Sequence, residues 1–271
     1  SLFNVVFDYV LMFPLGLSMS GAALATALSP IIGVLICCIH FKSEKCSISF
    51  KPVGLSIKKL IYSCQVGVSA FVGEISSGVI TVAFNMIILG LAGNVGVAAY
   101  GVVANISLVA VALFNGIAQG SQPLVSECYG KGRMKDVRYV VGLAFKTALV
   151  LAVLIIAAIY IWSDPIASIF NSEKNPELAA YAREGIRLYF IGFLFAGINI
   201  VGTSALSAVE AVRWAFTASI MRGFVAILIF AFALSAVFGM TGVWLAFPAA
   251  ELVTMLLSLT GISKSIWAKC R

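Results

Sequence analysis

The sequence predicts an all-α fold, a bundle of about seven transmembrane helices. Of its 271 residues, 61% are hydrophobic and 11% are charged, whereas soluble domains carry charge on roughly a quarter of their residues. A bilayer core of about 30 Å needs about 20 apolar residues per helix, and stretches of that length recur along the chain. The stretches are continuous rather than alternating, which excludes barrel strands and leaves helices as the spanning elements.

Charges, glycines, prolines and asparagines separate the predicted spans. In chain order the spans are 21–41, 60–91, 97–126, 139–162, 181–209, 215–238 and 243–266. Residues 2–13 are expected to form the end of an eighth helix. The tripeptide Asn175-Pro176-Glu177 predicts a helix start, because Asn is a good cap, Pro fits the first position and Glu complements the helix dipole. In the resulting extension, 176–187, Glu184 and Arg187 could pair at i,i+3.

The positions of Lys and Arg predict the orientation of the chain, because loops on the cytoplasmic side carry the excess of positive charge. The basic connections 41–59, 127–138 and 210–214 and the C-terminus are predicted to be cytoplasmic. The connections 92–96, 163–180 and 239–242 are predicted to face outward. We therefore expect a multi-pass protein of the cell (plasma) membrane. Its formal net charge of +7 follows from this topology, so no nucleic-acid partner is predicted.

The sequence contains no pattern that indicates an enzyme or a metal site. The six cysteines form no CxxC pair and His40 is the single histidine, so zinc and redox motifs are unsupported. A Ser-His pair, an HExxH motif and a phosphate-binding P-loop are all absent. We predict no enzymatic activity, no metal and no cofactor. The chain begins with Ser1 and has no basic leader, so we expect it to start inside a longer protein.

Glu74 is the most informative polar residue within a span. Counting 1.5 Å per residue from Leu60 places it about 21 Å into its helix. An ionised carboxyl group there costs about 2.5–3.5 kcal/mol, so it should face a bundle interior or a cavity, where it can bind a proton or a monovalent cation. Ser77, one turn further on, could help to coordinate such an ion. The alternative is that Glu74 is a neutral structural hydrogen-bonding group.

Further polar groups at membrane depth are candidates for a cavity lining. They are Asn85, Asn105, Asn115, Gln119, Gln122 and Glu251. Amides in spans are also common interhelical hydrogen-bonding groups, so a structural role stays open for them. Gly116 and Gly120 form a small-xxx-small pair, which favours close helix packing. Glu210 and Arg222 lie nearer to helix ends, where they could pair across the short 211–214 turn.

An ordered set of motifs resembles the multidrug and toxic compound extrusion (MATE) family. The segment Gly116-Ile117-Ala118-Gln119-Gly120-Ser121-Gln122-Pro123, followed by Tyr129-Gly130-Lys131-Gly132, is similar to the family's QGxQP-like element and YGAG-type loop, with lysine in place of alanine. Asn4 to Asp8, followed by Gly21-Ala22-Ala23-Leu24-Ala25-Thr26, resembles the connection from the fifth helix to the sixth. Gly73-Glu74-Ile75-Ser76-Ser77-Gly78 and Trp244 to Glu251 resemble parts of the seventh and twelfth helices.

The resemblance implies a two-lobe fold of which this chain holds the second lobe and a part of the first. Residues 1–41 would end the N-terminal lobe with helix 6, residues 42–59 would be the cytoplasmic interlobe loop, and 60–271 the C-terminal six-helix lobe. Most of the N-terminal lobe would then be a missing partner. Family members export cationic amphipathic drugs in exchange for Na⁺ or H⁺ through alternating access. The resemblance implies ion coupling at Glu74 and a substrate cavity lined by Glu251, Asn85, Asn105 and Gln119. Helix spacing adds Ser77 to the coupling site and Asn115 and Gln122 to the cavity lining.

Two other interpretations remain. A lipid-linked saccharide flippase of the same superfamily would be expected to carry more cationic residues in its cavity, for pyrophosphate. A non-transporting membrane fragment from a truncated gene would only insert or associate with a partner half. For the drug exporter, the expected partners are small-molecule drugs and the lipid bilayer.

Overall fold

The computed structural model describes residues 2–14, 16–40, 56–169 and 175–268, and all regular structure within these ranges is helical. This confirms the all-α prediction. The predicted interlobe loop at 42–59 lies mostly outside the described residues. The chain divides into two compact units, unit 1 (Ser1–Ser56) and unit 2 (Ile57–Arg271). The helices are α1 Leu2–Met12, α2 Ser18–His40, α3 Ile57–Gly130, α4 Met134–Ile169, α5 Pro176–Ile191, α6 Phe193–Ala208, α7 Val212–Ile220 and α8 Ala226–Ile262, with π-helical turns at Met221–Val225 and Ser263–Trp267.

Unit 1 is a helical hairpin of α1 and α2. The chain reverses at Gly16, whose φ of +65° suits glycine, because a Cβ is unfavourable in this region of backbone conformation. Gly21 lets the two helices approach closely, since a Cβ there would lie 2.8 Å from the carbonyl oxygen of Leu11. Across the hairpin, Asn4 Nδ2 donates to Thr26 Oγ1 at 3.4 Å.

Two glycines divide the longest helices of unit 2 into antiparallel pairs. Gly93 interrupts α3 with φ 59° and ψ −155°, and Gly239 interrupts α8 with φ 59° and ψ −134°. Both lie in connections that the sequence predicted. Four described helices, and a fifth formed by the bent pair α5–α6, are long and apolar enough to cross a membrane. Dividing the two longest of them at their glycines yields the seven predicted spans.

The helix α5 begins as the sequence predicted. The Asn175 side chain caps it by accepting from the backbone N–H groups of Glu177 and Leu178 at 2.9 and 3.4 Å, and Pro176 is its first residue. At Gly192 the chain bends by 46° into α6. A Cβ at Gly192 would lie 2.5 Å from Cδ1 of Phe247, so this glycine permits the close approach of α8.

The cap of α5 provides a test of the fold. Replacing Asn175 with alanine removes the acceptor for two N–H groups, and we expect the free energy of unfolding to fall by about 1 kcal/mol. Chemical unfolding of the purified protein measures this loss. Replacement with aspartate, which preserves the acceptor, is the matched control and should stay close to wild type. Equal stability of the alanine and aspartate variants would contradict the assigned role of the cap.

The core of unit 2 contains stacked aromatic rings, whereas exposed aliphatic side chains cover much of its outer surface. Phe114 stacks on Phe193 with ring centroids 6.1 Å apart, Tyr189 stacks on Phe247 at 4.2 Å, and Trp244 is fully buried. Leucine, valine and isoleucine side chains along the outer helix faces are exposed, among them Leu149, Val150, Val153, Leu154 and Ile161. Exposed aliphatic faces of this extent fit a protein that is solvated by lipid.

Candidate functional site

A buried ion pair lies inside unit 2, at the meeting point of three helical elements. Glu251, in the second half of α8, is 2% exposed. Its Oε1 lies 2.6 Å from Nε of Arg222, which comes from the π-helical turn Met221–Val225. The Arg222 side chain is 29% exposed, so its carboxylate partner is the more deeply enclosed group. The pair places opposite charges in contact within the lobe, which lowers the cost of burying either charge.

Asn199 of α6 completes this cluster. Its Nδ2 donates to Oε2 of Glu251 at 2.7 Å and to the backbone oxygen of Glu251 at 2.8 Å. Asn199 is fully buried, and its Oδ1 has no hydrogen-bond partner among the described residues. Both carboxylate oxygens of Glu251 are therefore engaged by protein donors. We refer to Asn199, Arg222 and Glu251 as the Glu251 cluster.

Local backbone geometry brings Arg222 into this position. The π-helical turn inserts extra backbone between α7 and α8, and such turns occur frequently at functional sites. Gly223, the next residue, is buried, and a Cβ at this position would overlap the side chain of Ser76 on α3. Ser76 is itself 2% exposed. A glycine is therefore needed for α3 and the π-helical turn to come together beside Arg222.

The structure corrects the pairings that were expected for four charged residues. Arg222 pairs with Glu251 rather than with Glu210 across the 211–214 turn. Glu210 has a φ of 58° and accepts from the hydroxyl of Tyr62 at 2.6 Å. Glu184 accepts from Thr241 Oγ1 at 2.5 Å instead of pairing with Arg187.

Arg187 for its part donates to Ser163 Oγ at 3.2 and 3.3 Å. These charged side chains therefore bind partners on other helices rather than the i,i+3 neighbour or the nearest opposite charge in the sequence. For both expected pairs, the observed partners belong to neighbouring helices. The local sequence pattern does not show which helices are neighbours.

Glu74 has surroundings opposite to those of Glu251. Its side chain is exposed on the first half of α3. It lies 17 residues after Ile57 and 19 before Gly93, so at 1.5 Å per residue it is about midway along this half. The Ser77 side chain lies outside what the structure describes. Gly78, one turn from Glu74, lines an apolar groove of about 750 Å³ together with Ile75, Val82, Met86 and Phe232.

The other predicted cavity residues are distributed over the two halves of α3. Asn85 is half-buried, whereas Asn105, Asn115, Gln119 and Gln122 are exposed. At 100° per residue, Asn115, Gln119 and Gln122 share one face of the second half. Asn105 Nδ2 donates to the oxygen of Gly101 in its own helix at 2.8 Å. The structure thus brings three of the amides onto one polar face. It encloses Glu251 elsewhere within the lobe, and the assignment of all these residues to a substrate cavity stays a prediction.

The interpretation of Gly116 and Gly120 as a close-packing pair is wrong for the described chain. No atom lies within 4 Å of a Cβ built at either glycine, because both belong to the exposed side of α3. The glycines that do permit close packing in unit 2 include Gly185, Gly192, Gly197 and Gly242. A spacing of four residues between small side chains marks a smooth helix surface, but it does not identify the surface that another helix covers.

Sequence reasoning missed Asn199 entirely and recognised Glu251 without its partners. Asn199 lies within an apolar stretch. The presence of an amide inside a predicted membrane span was the one feature of the sequence that could have identified it. Its contacts with Glu251 span 52 residues, and those of Arg222 span 29. No local pattern connects positions so far apart.

The helices, the exposed aliphatic surface and the enclosed charges define a polytopic helical membrane protein. The chain belongs to the MatE family, whose model matches residues 70–233. It is 26% identical over 260 residues to the multidrug export protein MepA of Staphylococcus saprophyticus, covering 94% of this chain and 56% of the relative. It is 28% identical over 265 residues to MepA of Staphylococcus haemolyticus, with the same coverages. The chain thus spans about half the length of these curated relatives.

Solved structures share the fold. A multidrug resistance MATE family transporter of the MOP superfamily in an outward-facing conformation superposes with a TM-score of 0.90 at 18% identity, over 99% of this chain and 61% of that chain. A MOP superfamily transporter from Pyrococcus furiosus, described as having a binding pocket of reverse polarity, superposes with a TM-score of 0.89 at 19% identity over the same shares. At these identities the likeness establishes the fold alone.

Proposed function

We propose that this chain is part of a secondary active multidrug efflux transporter of the plasma membrane, which exports cationic amphipathic drugs by antiport with Na⁺ or H⁺. Membership of the MatE family and the similarity to proteins named multidrug export protein support this proposal. The observation that carries it is the exposed carboxyl group of Glu74 midway along a membrane-spanning helix. An exchangeable ion needs a group of this kind, because a carboxylate that the protein has enclosed and paired is not free to bind it.

In the proposed mechanism, Glu74 binds the coupling ion, and Ser77, three residues further along the sequence, adds an oxygen ligand. A bound cation or proton neutralises the carboxyl group, which lowers the cost of moving it through a low-dielectric environment. The lobes then rock around a site near the bilayer midplane. A cationic drug competes for the same negative charge, and Asn85, Asn105, Asn115, Gln119 and Gln122 offer polar contacts on α3. We also propose the topology that the Lys and Arg positions predict, in which the C-terminus is cytoplasmic.

The test is a comparison of wild type with a Glu74→Gln variant. Right-side-out vesicles that contain the complete gene product are loaded with a fluorescent cationic dye under an inwardly directed Na⁺ or proton gradient. We expect the gradient-driven efflux rate to fall at least tenfold in Glu74→Gln with insertion unchanged, since the amide cannot carry the exchangeable charge. The matched control, Glu177→Gln, removes an exposed carboxylate at the start of α5 and should transport normally. Wild-type efflux by Glu74→Gln would overturn the assignment.

The flippase and inert-fragment interpretations make different predictions in the same vesicles. A flippase for lipid-linked saccharides would need cations free to bind a pyrophosphate. Arg222, whose side chain is partly buried in unit 2, is instead held by Glu251, which favours the drug exporter. Normal insertion of the wild type with no dye efflux under either gradient would favour one of the two alternatives.

A further inference from the structure

A basic pocket lies near the beginning of α4, and it contains none of the residues proposed for transport. Lys135, Arg138, Tyr139, Gly142, Leu143 and Lys146 line it, and its volume is about 380 Å³. At 100° per residue these side chains occupy one stripe of the helix. The stripe contains three cations and no acidic group. We call these six residues the basic pocket.

The positive charge of the basic pocket is not neutralised by the acids nearest to it in sequence. Asp136 pairs with Arg133 at 3.4 Å, and Glu127 pairs with Lys131 at 2.5 Å. Within the described part of the chain, Lys135 and Lys146 form no ion pair. The Arg138 guanidinium lies 6.0 Å from the centre of the Trp267 ring, which holds this cation in place without cancelling its charge.

The pocket extends along α4, which in a membrane-spanning helix corresponds to a path from the headgroup level toward the acyl chains. Lys135 and Lys146 are 11 residues apart, which is about 16 Å along a helix. Tyr139 is 72% exposed and Leu143 is 53% exposed between them. Tyrosine is typical of the membrane interface, and a lysine deeper in the membrane can extend its amine back toward that level. Beyond Lys146, exposed Val150 and Leu154 continue an apolar track on the same side of α4.

We infer that the basic pocket binds an anionic phospholipid. The phosphate of the headgroup contacts Lys135 and Arg138, with the Lys146 amine extended toward it, and an acyl chain lies along Leu143, Val150 and Leu154. A basic pocket on the outside of a transmembrane helix recognises this lipid class through its charge. A free phosphate could satisfy the three cations, but it would leave the apolar track empty. A lipid is favoured because the basic pocket is continuous with this track. The inference does not depend on which substrate is transported.

The experiment is a lipid titration of the purified complete gene product, read by native mass spectrometry. Phosphatidylglycerol is titrated against wild type and against a triple variant, Lys135→Gln, Arg138→Gln and Lys146→Gln. We expect the triple variant to bind phosphatidylglycerol about 10- to 100-fold more weakly, because each cation near the surface contributes to the attraction. Phosphatidylcholine with the same acyl chains should bind wild type no better than it binds the variant.

Two controls separate this site from general charge and from damage to the fold. The variant Lys58→Gln, Lys59→Gln and Arg213→Gln removes three exposed cations that do not line the pocket and should keep wild-type binding within about threefold. A variant that exchanges the cations, Lys135→Arg, Arg138→Lys and Lys146→Arg, retains the charge and should retain binding. Equal losses in the two glutamine variants would overturn the inference. Displacement of the lipid by millimolar inorganic phosphate, or equal binding of phosphatidylcholine, would also overturn it.

Discussion

Replacing Arg222 with methionine is expected to lower the free energy of unfolding by about 3–5 kcal/mol. The change leaves the Glu251 carboxylate buried without its cation, and removing one partner of a buried pair costs about this much. The reverse change, Glu251→Gln, should cost less, because the amide can still accept from Asn199 and the partly exposed Arg222 can extend toward polar surroundings. Thermal or denaturant unfolding of the purified complete gene product provides the measurement.

A double variant shows whether the cost comes from the pair or from the loss of packing. Replacing both residues, Arg222→Met with Glu251→Gln, removes the unpaired charge, so the combined loss should be smaller than the sum of the single losses by at least about 1 kcal/mol. Arg213→Met is the matched control, because this arginine is exposed at the second position of α7, and its loss should stay within about 0.5 kcal/mol. Additive single losses, or an Arg222→Met variant as stable as wild type, would contradict a stabilising pair.

The sequence was sufficient to predict the helices and their connections, because one physical constraint controls both. Backbone polar groups in lipid must be satisfied within the segment, so apolar stretches of sufficient length become helices whatever their local propensities. The turns at Gly93 and Gly239 were predictable because glycine permits the positive φ that ends a span. The cap at Asn175 was predictable for a similar reason, since its partners lie within three residues of it.

The Glu251 cluster could not be predicted, because it depends on which faces of the helices meet. Lipid offers no hydrophobic reason for one apolar face to be buried rather than another, so the contrast between polar and apolar residues that identifies buried faces in soluble proteins is weak here. Glu74 and Glu251 looked alike in the sequence, as acidic residues within apolar spans. The structure exposes the first and encloses the second. The same weakness explains why Gly116 and Gly120 were assigned to a packed face.

Replacing Gly242 with alanine is expected to be the most disruptive single methyl addition in α8. A Cβ at this position would overlap the carbonyl oxygen of Leu234 and lie 2.9 Å from the backbone nitrogen of Ser235. Both atoms belong to the backbone of the preceding half of α8, so no side chain can rotate away. The two halves would have to separate near the turn at Gly239. Overpacking of cores costs about 1–3 kcal/mol where side chains can adjust, and we expect a loss of about 3 kcal/mol or more here.

Gly101→Ala is the matched control for this prediction, since the same methyl group is added to a transmembrane helix without a neighbour. No atom lies within 4 Å of a Cβ at Gly101, and alanine is favoured over glycine in a helix interior by about 1 kcal/mol. Gly101→Ala should therefore match or slightly exceed wild type in thermal unfolding, whereas Gly242→Ala should unfold at a markedly lower temperature. Comparable midpoints for the two variants would show that the halves of α8 are further apart than the structure places them. A large difference would locate the close approach at Gly242, because the added atoms are identical and only the surroundings differ.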